Sequence, residues 1–265
     1  MIKSLFALLV VCAGLVSSVS AQPACTSVSI AGPTNSPPSS WVSHGKLTGF
    51  SIELLQSLLN EIGVKGVPKV FDSWEEGLEA VKQGQVDIVV SLKHSLERER
   101  YMDFVYPSYN WDNVVILVKR NQNFLVTKFD DLLGRRGVIP AGTTFGSMVF
   151  GDFVTQRLKP TVVASYSEGI DKVIANEFDY FMSYQSPTES TIYQKNIGDM
   201  IEYVSTYPFG ASDHIAVSKR SACGSQIKQR LTAALVKSQR ENSLAALKQK
   251  YKFIFEQQAI DQEVK

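Results

Sequence analysis

The residues with the most reactive side chains are three cysteines and three histidines. No histidine stands at metal-site spacing from a cysteine or another histidine, so we expect no metal and no other cofactor. Cys12 lies in an N-terminal apolar run, which leaves Cys25 and Cys223 in the body of the chain. In an exported chain this pair predicts a disulfide between the N-terminal segment and a region near the C-terminus. Two free thiols are the alternative, because the sequence does not show that the two residues are close.

The N-terminus predicts export. Lys3 is the only charged side chain before an apolar run from residue 5 to residue 16, and Val19-Ser20-Ala21 is a small-x-small cleavage pattern. A membrane anchor is the alternative, but the run is shorter than the ~20 apolar residues that span a bilayer. We therefore interpret residues 1–21 as a signal peptide and expect a mature protein that begins at Gln22.

The charge balance excludes two classes of partner. The chain has 27 Lys plus Arg and 26 Asp plus Glu, and removing Lys3 with the signal peptide balances the two counts. Without an excess of positive charge, nothing steers the protein to nucleic acid or to a membrane surface. The remaining chain is long enough for two small domains or one large one.

A stretch of nineteen residues occurs twice. Residues 73–91 read SWEEGLEAVKQGQVDIVVS and residues 165–183 read SYSEGIDKVIANEFDYFMS, with six identities and no gap. In each copy a Ser and a Glu three residues later form a capping box, an apolar stripe follows at helical spacing, and an apolar segment predicts a buried strand. Chance similarity is the alternative, since caps and apolar strands recur in many proteins. The repeat favours two helix–strand units with parallel strands.

Each copy is preceded by a second strand and helix. Residues 28–31 predict a strand and residues 51–62 a helix. In the second half, residues 137–140 predict a strand, residues 142–144 a turn and residues 145–158 a helix. The chain therefore predicts an α/β fold with two lobes of similar plan.

Two such lobes place Ser91 and Ser183 opposite each other. Ligands bind α/β sheets beyond the carboxyl ends of the parallel strands, where the strand order reverses. The two serines directly follow the predicted strands at residues 88–90 and 180–182. We therefore expect both serines, and the loops after them, to face one cleft.

The chain crosses between the lobes twice. Extended segments that contain proline precede predicted strands at residues 114–118 and 215–217. Helical patterns at residues 226–240 and 243–255 follow, and we expect these helices to pack on the first lobe. The predicted domains are lobe 1, residues 22–112 with 211–265, and lobe 2, residues 113–210.

An ordered set of short motifs resembles one known family. The motifs are Gly45-Lys46-Leu47-Thr48-Gly49-Phe50-Ser51-Ile52-Glu53, Trp74 with Gly84-x-x-Asp87, Ser95-Leu96-Glu97-Arg98 leading to Asp103-Phe104, Leu133-Gly134-Arg135-Arg136-Gly137, and Gly142-Thr143-Thr144. They stand in the order found in family 3 extracellular solute-binding proteins, the periplasmic receptors of polar amino acid ABC transporters. The resemblance covers nearly all of the chain after residue 21. It implies a periplasmic binding protein-like fold of type II, in which two α/β lobes joined by a two-stranded hinge close on one small ligand.

The resemblance implies a carboxylate site. The family's carboxylate-binding arginine lies in a Thr-x-x-Arg motif, which here is Ser95-Leu96-Glu97-Arg98, and a guanidinium presents a planar fork of donors to a carboxylate. A surface arginine is the alternative, and Arg100 is a rival. In the second lobe Gly142-Thr143-Thr144 precedes the predicted helix, whose backbone N–H groups can hold the same carboxylate. There the alternative is an ordinary Thr cap.

The sequence departs from the family where the ligand's ammonium group is held. The family usually has an acidic residue five positions after the residue that matches Asp179, and here that position is Tyr184. Asp213, just before the strand of the second crossing, is a candidate replacement, and an exposed loop aspartate is the alternative. Unless Asp213 substitutes, we expect weak binding of ordinary α-amino acids and better binding of a modified amino acid or another organic acid.

Five further positions are candidates for the cleft wall. The segment that ends at Arg98 is one residue shorter than is common in the family, so a ligand contact at Ser91 is an open expectation. Asn35 or Trp41 is expected to form the wall ahead of the first helix. Trp111-Asp112, after the first crossing, lines either the cleft or the hinge.

The resemblance implies a binding protein that closes on a carboxylate-bearing solute and presents it to an ABC permease in the inner membrane. We expect it to act in the periplasm, as a monomer and without catalysis. One alternative is a cleft enzyme that resembles the cyclohexadienyl dehydratases, with Glu189 as the candidate acid; a glutamate on an exposed helix explains that residue equally. Another alternative is a sensory module that signals to a partner protein.

Overall fold

The structure of the chain is a computed structural model. It describes residues 25–122, 125–145, 148–204, 210–241 and 243–263. The predicted signal peptide, residues 1–21, lies outside these ranges. Within the described ranges, the helices are too short or too polar to cross a bilayer.

Twelve strands in the described ranges form two sheets. In chain order they are β1 (Ser27–Ala31), β2 (Asn35–Ser36), β3 (Ser40–Ser43), β4 (Lys46–Thr48), β5 (Lys65–Pro68), β6 (Ile88–Lys93), β7 (Met102–Lys119), β8 (Gly137–Pro140), β9 (Thr161–Val163), β10 (Tyr180–Tyr184), β11 (Ile201–Tyr203) and β12 (Gly210–Ser218). Strands β2, β3 and β4 form a small antiparallel sheet. The others form one sheet in the order β5-β1-β6-β12-β7-β10-β8-β9, with β11 paired to β7. Parallel pairing of β6 with β1, and of β10 with β8, confirms the predicted α/β units.

Eight α-helices connect these strands in the described part of the chain. They are α1 (Phe50–Glu61), α2 (Trp74–Lys82), α3 (Leu96–Glu99), α4 (Met148–Asp152), α5 (Tyr166–Ile174), α6 (Gln185–Lys195), α7 (Gly224–Arg240) and α8 (Ser243–Glu263). A 3₁₀ turn at Phe129–Leu132 precedes β8, and a π-helical turn at Phe153–Leu158 follows α4. The helix predicted at residues 145–158 is thus a short α-helix and a π-helical turn. Helix α8 runs past its predicted end at residue 255.

The repeated stretches form matching units, α2 with β6 and α5 with β10. Ser73 and Ser165 cap the helices, since each side-chain oxygen accepts a hydrogen bond of 3.1 Å from the backbone N–H three residues later. Asp87 and Asp179, which the copies also share, each accept a hydrogen bond from a backbone N–H on or just before the parallel neighbouring strand, at 2.8 and 2.7 Å. The predicted serine caps and strands are confirmed. The capping boxes are corrected, because Glu76 and Glu168 accept from the N–H of the residue before each serine and not from the serine itself. The shared residues are therefore those that hold a helix–strand unit to the sheet.

Strands β7 and β12 connect the two halves of the large sheet. We call β5, β1 and β6 with their helices the first half, and β10, β8, β9 and β11 with their helices the second half. Strand β7 has 18 residues and pairs with β12 along its first part and with β10 and β11 along its second part. The sequence predicted an extended crossing before a separate strand at residues 114–118. The structure corrects this boundary, because pairing with β12 continues from Met102 to Asn113 and makes a single strand. The two-stranded connection implied by the resemblance is the β7–β12 pair.

The C-terminal helices pack on the first half of the sheet. Leu231 of α7 is fully buried in one hydrophobic cluster with Ile30 of β1 and Leu55 of α1, and Tyr251 of α8 packs at its edge. The predicted position of these helices is confirmed. Separate clusters around Ile116 and Phe181 form the core of the second half.

A disulfide joins Cys25 to Cys223, whose Cα atoms lie 5.7 Å apart. Cys25 stands two residues before β1, and Cys223 stands directly before α7. The predicted pairing is confirmed, and the alternative of two free thiols is wrong. The bond ties the first strand to the C-terminal helices within one half of the molecule.

Candidate ligand-binding site

A cavity of about 270 Å³ lies between the two halves of the large sheet. The first turns of α2 and α5, the two helices of the repeat, line it at residues 72–75 and 164–166, and the loops after β1 and β8 add to the wall. Trp74 and Tyr166 occupy the same position of the repeat, and both are in the wall. The repeated unit therefore builds both sides of one cavity.

Ser91 lies in the cavity wall with an unusual backbone. Its φ of 55° is in the left-handed region, and the register of the β6–β12 pair shifts beside it. The Ser91 N–H donates to Tyr109 Oη at 2.8 Å, and Ser91 Oγ lies 2.8 Å from Ser39 Oγ. Burial raises the pKa of Tyr109 and keeps its hydroxyl protonated. These hydrogen bonds hold the hydroxyls of Ser91 and Ser39 at the wall.

Arg98 reaches the cavity from the short helix α3. Ser95 caps this helix, because its Oγ accepts from Arg98 N at 3.3 Å. The Arg98 residue is 6% exposed, and its Nη1 donates to Lys93 O at 2.7 Å and to Thr144 Oγ1 at 3.1 Å. Burial lowers the pKa of the guanidinium, since desolvation disfavours the charged form. In the part of the chain that the structure describes, no carboxylate oxygen lies within 4.0 Å of Arg98.

The turn after β8 meets Arg98 from the other half. Gly142 has φ 69°, a left-handed conformation that favours glycine. Besides the Arg98 contact, Thr144 accepts a hydrogen bond at its carbonyl from Tyr184 Oη at 2.7 Å. The predicted contribution of a long helix directly after this turn is corrected, because α4 begins later and has five residues.

A buried group of charges lies beside Arg98. Lys93 Nζ is 2.8 Å from Asp213 Oδ1, 3.9 Å from Asp112 Oδ2 and 4.2 Å from the ring centroid of Tyr184. We call Lys93, Asp112, Asp213 and Tyr184 the Lys93 cluster. Strand register explains it, since Asp213 on β12 pairs directly with Lys93 on β6 and with Asn110 on β7. Asn110 Nδ2 also donates to Asp213 Oδ2 at 2.6 Å.

Asp112 connects the Lys93 cluster to the second half. Its Oδ1 accepts hydrogen bonds from the N–H and the Oγ of Ser186, at the start of α6, both at 3.1 Å. Burial raises the pKa of Asp112 to about 6; nearby Lys93 lowers this pKa, and nearby Asp213 raises it. The Asp112 carboxyl therefore titrates near pH 6, about two units above the pKa of an exposed aspartate.

Eight of the ten predicted ligand-site residues line the cavity, namely Asn35, Ser91, Arg98, Gly142, Thr143, Thr144, Tyr184 and Asp213. Asp213 is 3% exposed, so the alternative of an exposed loop aspartate is wrong. Trp41 is a correction: it packs edge-on against Tyr251 and Phe255, each at 5.9 Å, because α8 reaches back over the small sheet. Trp111 is a second correction, since it is 57% exposed and lies outside the cavity.

Lys93, Trp74 and Tyr166 are cavity residues that did not appear among the predicted ligand contacts. Asp112, expected to line either the cleft or the hinge, lies in the cavity wall. Lys93 stands two residues after Ser91, and alternate residues of a strand share a face, so this spacing was a usable signal. Trp74 and Tyr166 follow the two helix caps at equivalent positions of the repeat, which was a second signal.

Two rival residues lie outside the cavity. Glu189, the candidate acid of the enzyme alternative, is exposed on α6 and accepts a hydrogen bond from Gln185 Nε2 at 2.6 Å. Arg100, the rival of Arg98, is also exposed. Neither side chain can contact a molecule in the cavity in this conformation.

The sequence that forms this cleft matches the profile of a known protein family. The profile of the bacterial extracellular solute-binding proteins, family 3, matches residues 28–254. The chain belongs to this family. The L-cystine-binding protein TcyJ of Escherichia coli K12 is 32% identical over 125 residues, which are 47% of this chain and 44% of TcyJ. A probable histidine-binding protein of Campylobacter jejuni is 29% identical over 110 residues, 41% of this chain and 42% of that protein. The match thus spans less than half the length of these curated relatives.

Several solved structures share the fold. A histidine kinase sensor domain with similarity to periplasmic binding proteins superposes with a TM-score of 0.73 at 18% identity, covering 86% of this chain and 96% of that chain. An ancestral arginine-binding protein bound to glutamine superposes with a TM-score of 0.68 at 21% identity, covering 85% and 97%. The periplasmic binding protein-like fold predicted from the sequence is confirmed.

Proposed function

We propose that this chain is a periplasmic solute-binding protein that closes on one small, amino-acid-like carboxylate and delivers it to an ABC permease in the inner membrane. One observation carries the proposal. Arg98 is a buried cation in the cavity wall, and within the described ranges it has no carboxylate partner. A buried charge is costly unless it is paired. The carboxylate of a bound ligand supplies the missing partner.

The surroundings of Arg98 suit a carboxylate. The guanidinium is held at one nitrogen by Lys93 O and Thr144 Oγ1, and an arginine side chain has further donors for a planar anion. The hydroxyls of Ser39 and Ser91 stand at the same wall. A cavity of about 270 Å³ is just below the usual range of roughly 300–1,000 Å³ for ligand pockets. A small solute therefore fits better than a peptide or a lipid.

Binding is proposed to occur by closure of two lobes, residues 22–112 with 211–265 and residues 113–210. In the described ranges, hydrogen bonds between these lobes include Arg98 Nη1 to Thr144 Oγ1 at 3.1 Å, and Ser190 Oγ to Pro37 O at 2.6 Å. The N–H and the Oγ of Ser186 also donate to Asp112 Oδ1 across the lobes, both at 3.1 Å. The β7–β12 pair is the hinge, because small dihedral changes along two strands can rotate one lobe against the other.

The relatives support this ligand class and location. By their names, TcyJ binds L-cystine and the Campylobacter protein is a probable histidine-binding protein, so both relatives concern amino acids. These relatives are binding proteins, which supports a function without catalysis. The family is described as extracellular, which supports a periplasmic location.

The experiment is a thermal-shift screen of amino acids, dipeptides and organic acids, on protein freed of carried-over ligand, followed by calorimetry. Arg98→Ala is expected to weaken binding of the best carboxylate by about 2–5 kcal/mol, because it removes one partner of a desolvated charge pair. Arg100→Ala is the matched control and should leave the affinity nearly unchanged, since Arg100 is exposed. Equal losses in the two variants would contradict the assignment of Arg98.

Small-angle scattering tests lobe closure separately. With saturating ligand the particle should become more compact than the unliganded protein. Arg98→Ala should stay in the unliganded form at the same ligand concentration. An unchanged scattering profile in the presence of a ligand that binds by calorimetry would contradict closure around the β7–β12 hinge.

A further inference from the structure

Lys93 lies where a ligand's ammonium group would find its best surroundings in this cavity. Its Nζ has one carboxylate at 2.8 Å, a second at 3.9 Å and an aromatic ring centroid at 4.2 Å. Carboxylates and an aromatic face are the groups that recognise ammonium ions in proteins. Lys93, Asp112 and Asp213 are each less than a tenth exposed. The site is therefore built and buried, and the chain itself provides its cation.

The two cations of the cavity differ in their partners. Arg98 has no carboxylate within 4.0 Å in the described ranges, whereas Lys93 is between Asp213 and Asp112. The two residues are neighbours, because Arg98 Nη1 donates to the backbone carbonyl of Lys93 at 2.7 Å and both residues line the same cavity. A carboxylate held by Arg98 thus places its α-substituent beside the Lys93 cluster.

We propose that Lys93 fills, from within the chain, an ammonium site made by Asp213, Asp112 and the ring of Tyr184, so that the cleft selects carboxylates that carry no α-ammonium group. The ligand class is a simple organic acid or an amino acid whose amino group is acylated. The selectivity rests on the proposed function, in which Arg98 binds a carboxylate. The ammonium site is independent of that proposal.

The physical reason is competition for the same carboxylates. A zwitterion bound at Arg98 brings a second ammonium towards Lys93 Nζ, and Asp213 is already paired with Lys93 and Asn110. Two like charges at close range repel in a buried site where water does not screen them. A ligand with hydrogen or an amide at that carbon avoids the repulsion and leaves the Lys93–Asp213 pair intact.

A different role for Lys93 is the capture of a second acidic group on the ligand. The charges argue against it, because two aspartates already compensate Lys93 and a further anion would meet both of them. In that case Lys93→Met and Arg98→Ala would lose the binding of a dicarboxylate such as glutarate or succinate to the same extent. That result would show this role and overturn the proposal.

The deciding experiment removes the tethered cation and adds a free one. Lys93→Ala should melt at a lower temperature than the wild type, and methylammonium chloride should restore stability, with equal sodium chloride as the ionic control. At ten times its Kd, methylammonium is expected to raise the Tm of Lys93→Ala by about 3–5 °C. Lys93→Met is the matched control: its side chain fills the space without charge, so methylammonium should give no shift.

No methylammonium-specific shift in Lys93→Ala would overturn the proposal, as would an equal shift in Lys93→Met or in the wild type. If Lys93→Ala does not fold, the double variant Lys93→Ala/Asp112→Asn allows the same measurement. It leaves Asp213 as the one buried carboxylate of the cluster, and the asparagine oxygen can still accept the hydrogen bonds from Ser186. This arm uses no carboxylate ligand. Its outcome is therefore independent of whether Arg98 binds one.

Matched acids then test the consequence for specificity. L-leucine with isocaproate, and L-phenylalanine with hydrocinnamate, differ only in the α-ammonium group. In the wild type the acid without the ammonium group should bind about tenfold more tightly, and Lys93→Ala should reverse the order within each pair that binds. A wild type that prefers the amino acid, or a preference that Lys93→Ala does not change, would overturn the selectivity. If Arg98→Ala abolishes binding and Lys93→Ala changes neither the affinity nor the preference within a pair, this inference alone is overturned. The proposed function then still holds.

Discussion

The two halves of the cavity wall differ in charge. In the described part of the chain, every charged residue of the wall comes from the first half or from the β7–β12 pair: Asp72, Glu75, Lys93, Arg98, Asp112 and Asp213. The second half contributes uncharged residues at 140–144 and 164–166, with Tyr184, Ser186 and Pro187. We therefore expect the charged half to determine the chemistry of the ligand, and the uncharged half to supply hydroxyls, backbone groups and aromatic faces that exclude water on closure.

This difference teaches how a repeated unit can diverge. Both copies keep the capped helix, the aromatic residue after the cap and the Asp that ties the strand to its neighbour. The chain after the first copy continues to Lys93 and Arg98, whereas the chain after the second copy continues to Tyr184. The shared residues contribute to both sides of the cavity, and the residues just beyond them make one side charged and leave the other uncharged.

The largest expected effect is on the stability of the Lys93 cluster. Asp213→Ala leaves Lys93 buried without its nearest carboxylate and should lower the free energy of unfolding by about 3–5 kcal/mol. The double variant Lys93→Met/Asp213→Leu removes both charges and should be within about 1 kcal/mol of the wild type. Urea denaturation of both variants measures the difference. A double variant as unstable as Asp213→Ala would mean that packing, and not the unpaired charge, explains the loss.

A second prediction concerns pH, through Asp112. Burial raises the pKa of Asp112 to about 6, so the folded protein holds this proton over a range in which the unfolded chain, with a pKa near ~4, has lost it. The Asp112 contribution to stability is therefore fully present below about pH 4 and is lost as the pH rises to about 6, a decrease of about 2–3 kcal/mol.

Asp112→Asn isolates this contribution. The asparagine oxygen can still accept hydrogen bonds from Ser186, but the residue does not titrate. Compared with the wild type, the variant should gain relative stability as the pH rises from about 4 to 7. Urea denaturation across that range checks the result. Parallel curves for the two proteins would show that Asp112 has an ordinary pKa in the folded state.

A third prediction compares how Arg98 and Lys93, the two buried cations of the cavity wall, affect the stability of the ligand-free protein. Without ligand, Arg98→Met should raise the free energy of unfolding by about 0.5–2 kcal/mol, because methionine keeps the packing and removes a buried charge that awaits a partner. Lys93 offers no such gain, since its charge is already compensated. Thermal melts of ligand-free Arg98→Met and Lys93→Met compare them. A destabilised Arg98→Met would mean that the hydrogen bonds to Lys93 O and Thr144 Oγ1 outweigh the cost of burial.

Local patterns predicted most of the fold. The caps at Ser73 and Ser165 and the apolar strands after them depend on neighbouring residues only, so the sequence contains them in full. The Lys93 cluster depends on three strands whose register joins Lys93, Asp213 and Asn110. That register is set by the whole sheet, and no local pattern shows it. Similarly, Trp41 was misplaced because its partners on α8 lie more than two hundred residues away in the chain.

The smallest expected effect lies in the uncharged half. Thr144→Val keeps the shape of the side chain and removes the oxygen that accepts a hydrogen bond from Arg98 Nη1. This hydrogen bond joins the two halves, so its loss should make closure less favourable and weaken ligand binding by about 0.5–1.5 kcal/mol. Because the ligand carboxylate still contacts Arg98, saturating ligand should compact Thr144→Val as fully as the wild type in small-angle scattering. Calorimetry gives the affinity, with Thr155→Val, an exposed threonine outside the cavity, as control. A loss in Thr144→Val as large as that of Arg98→Ala would break the comparison, since the uncharged half would then contribute as much binding energy as the charged one.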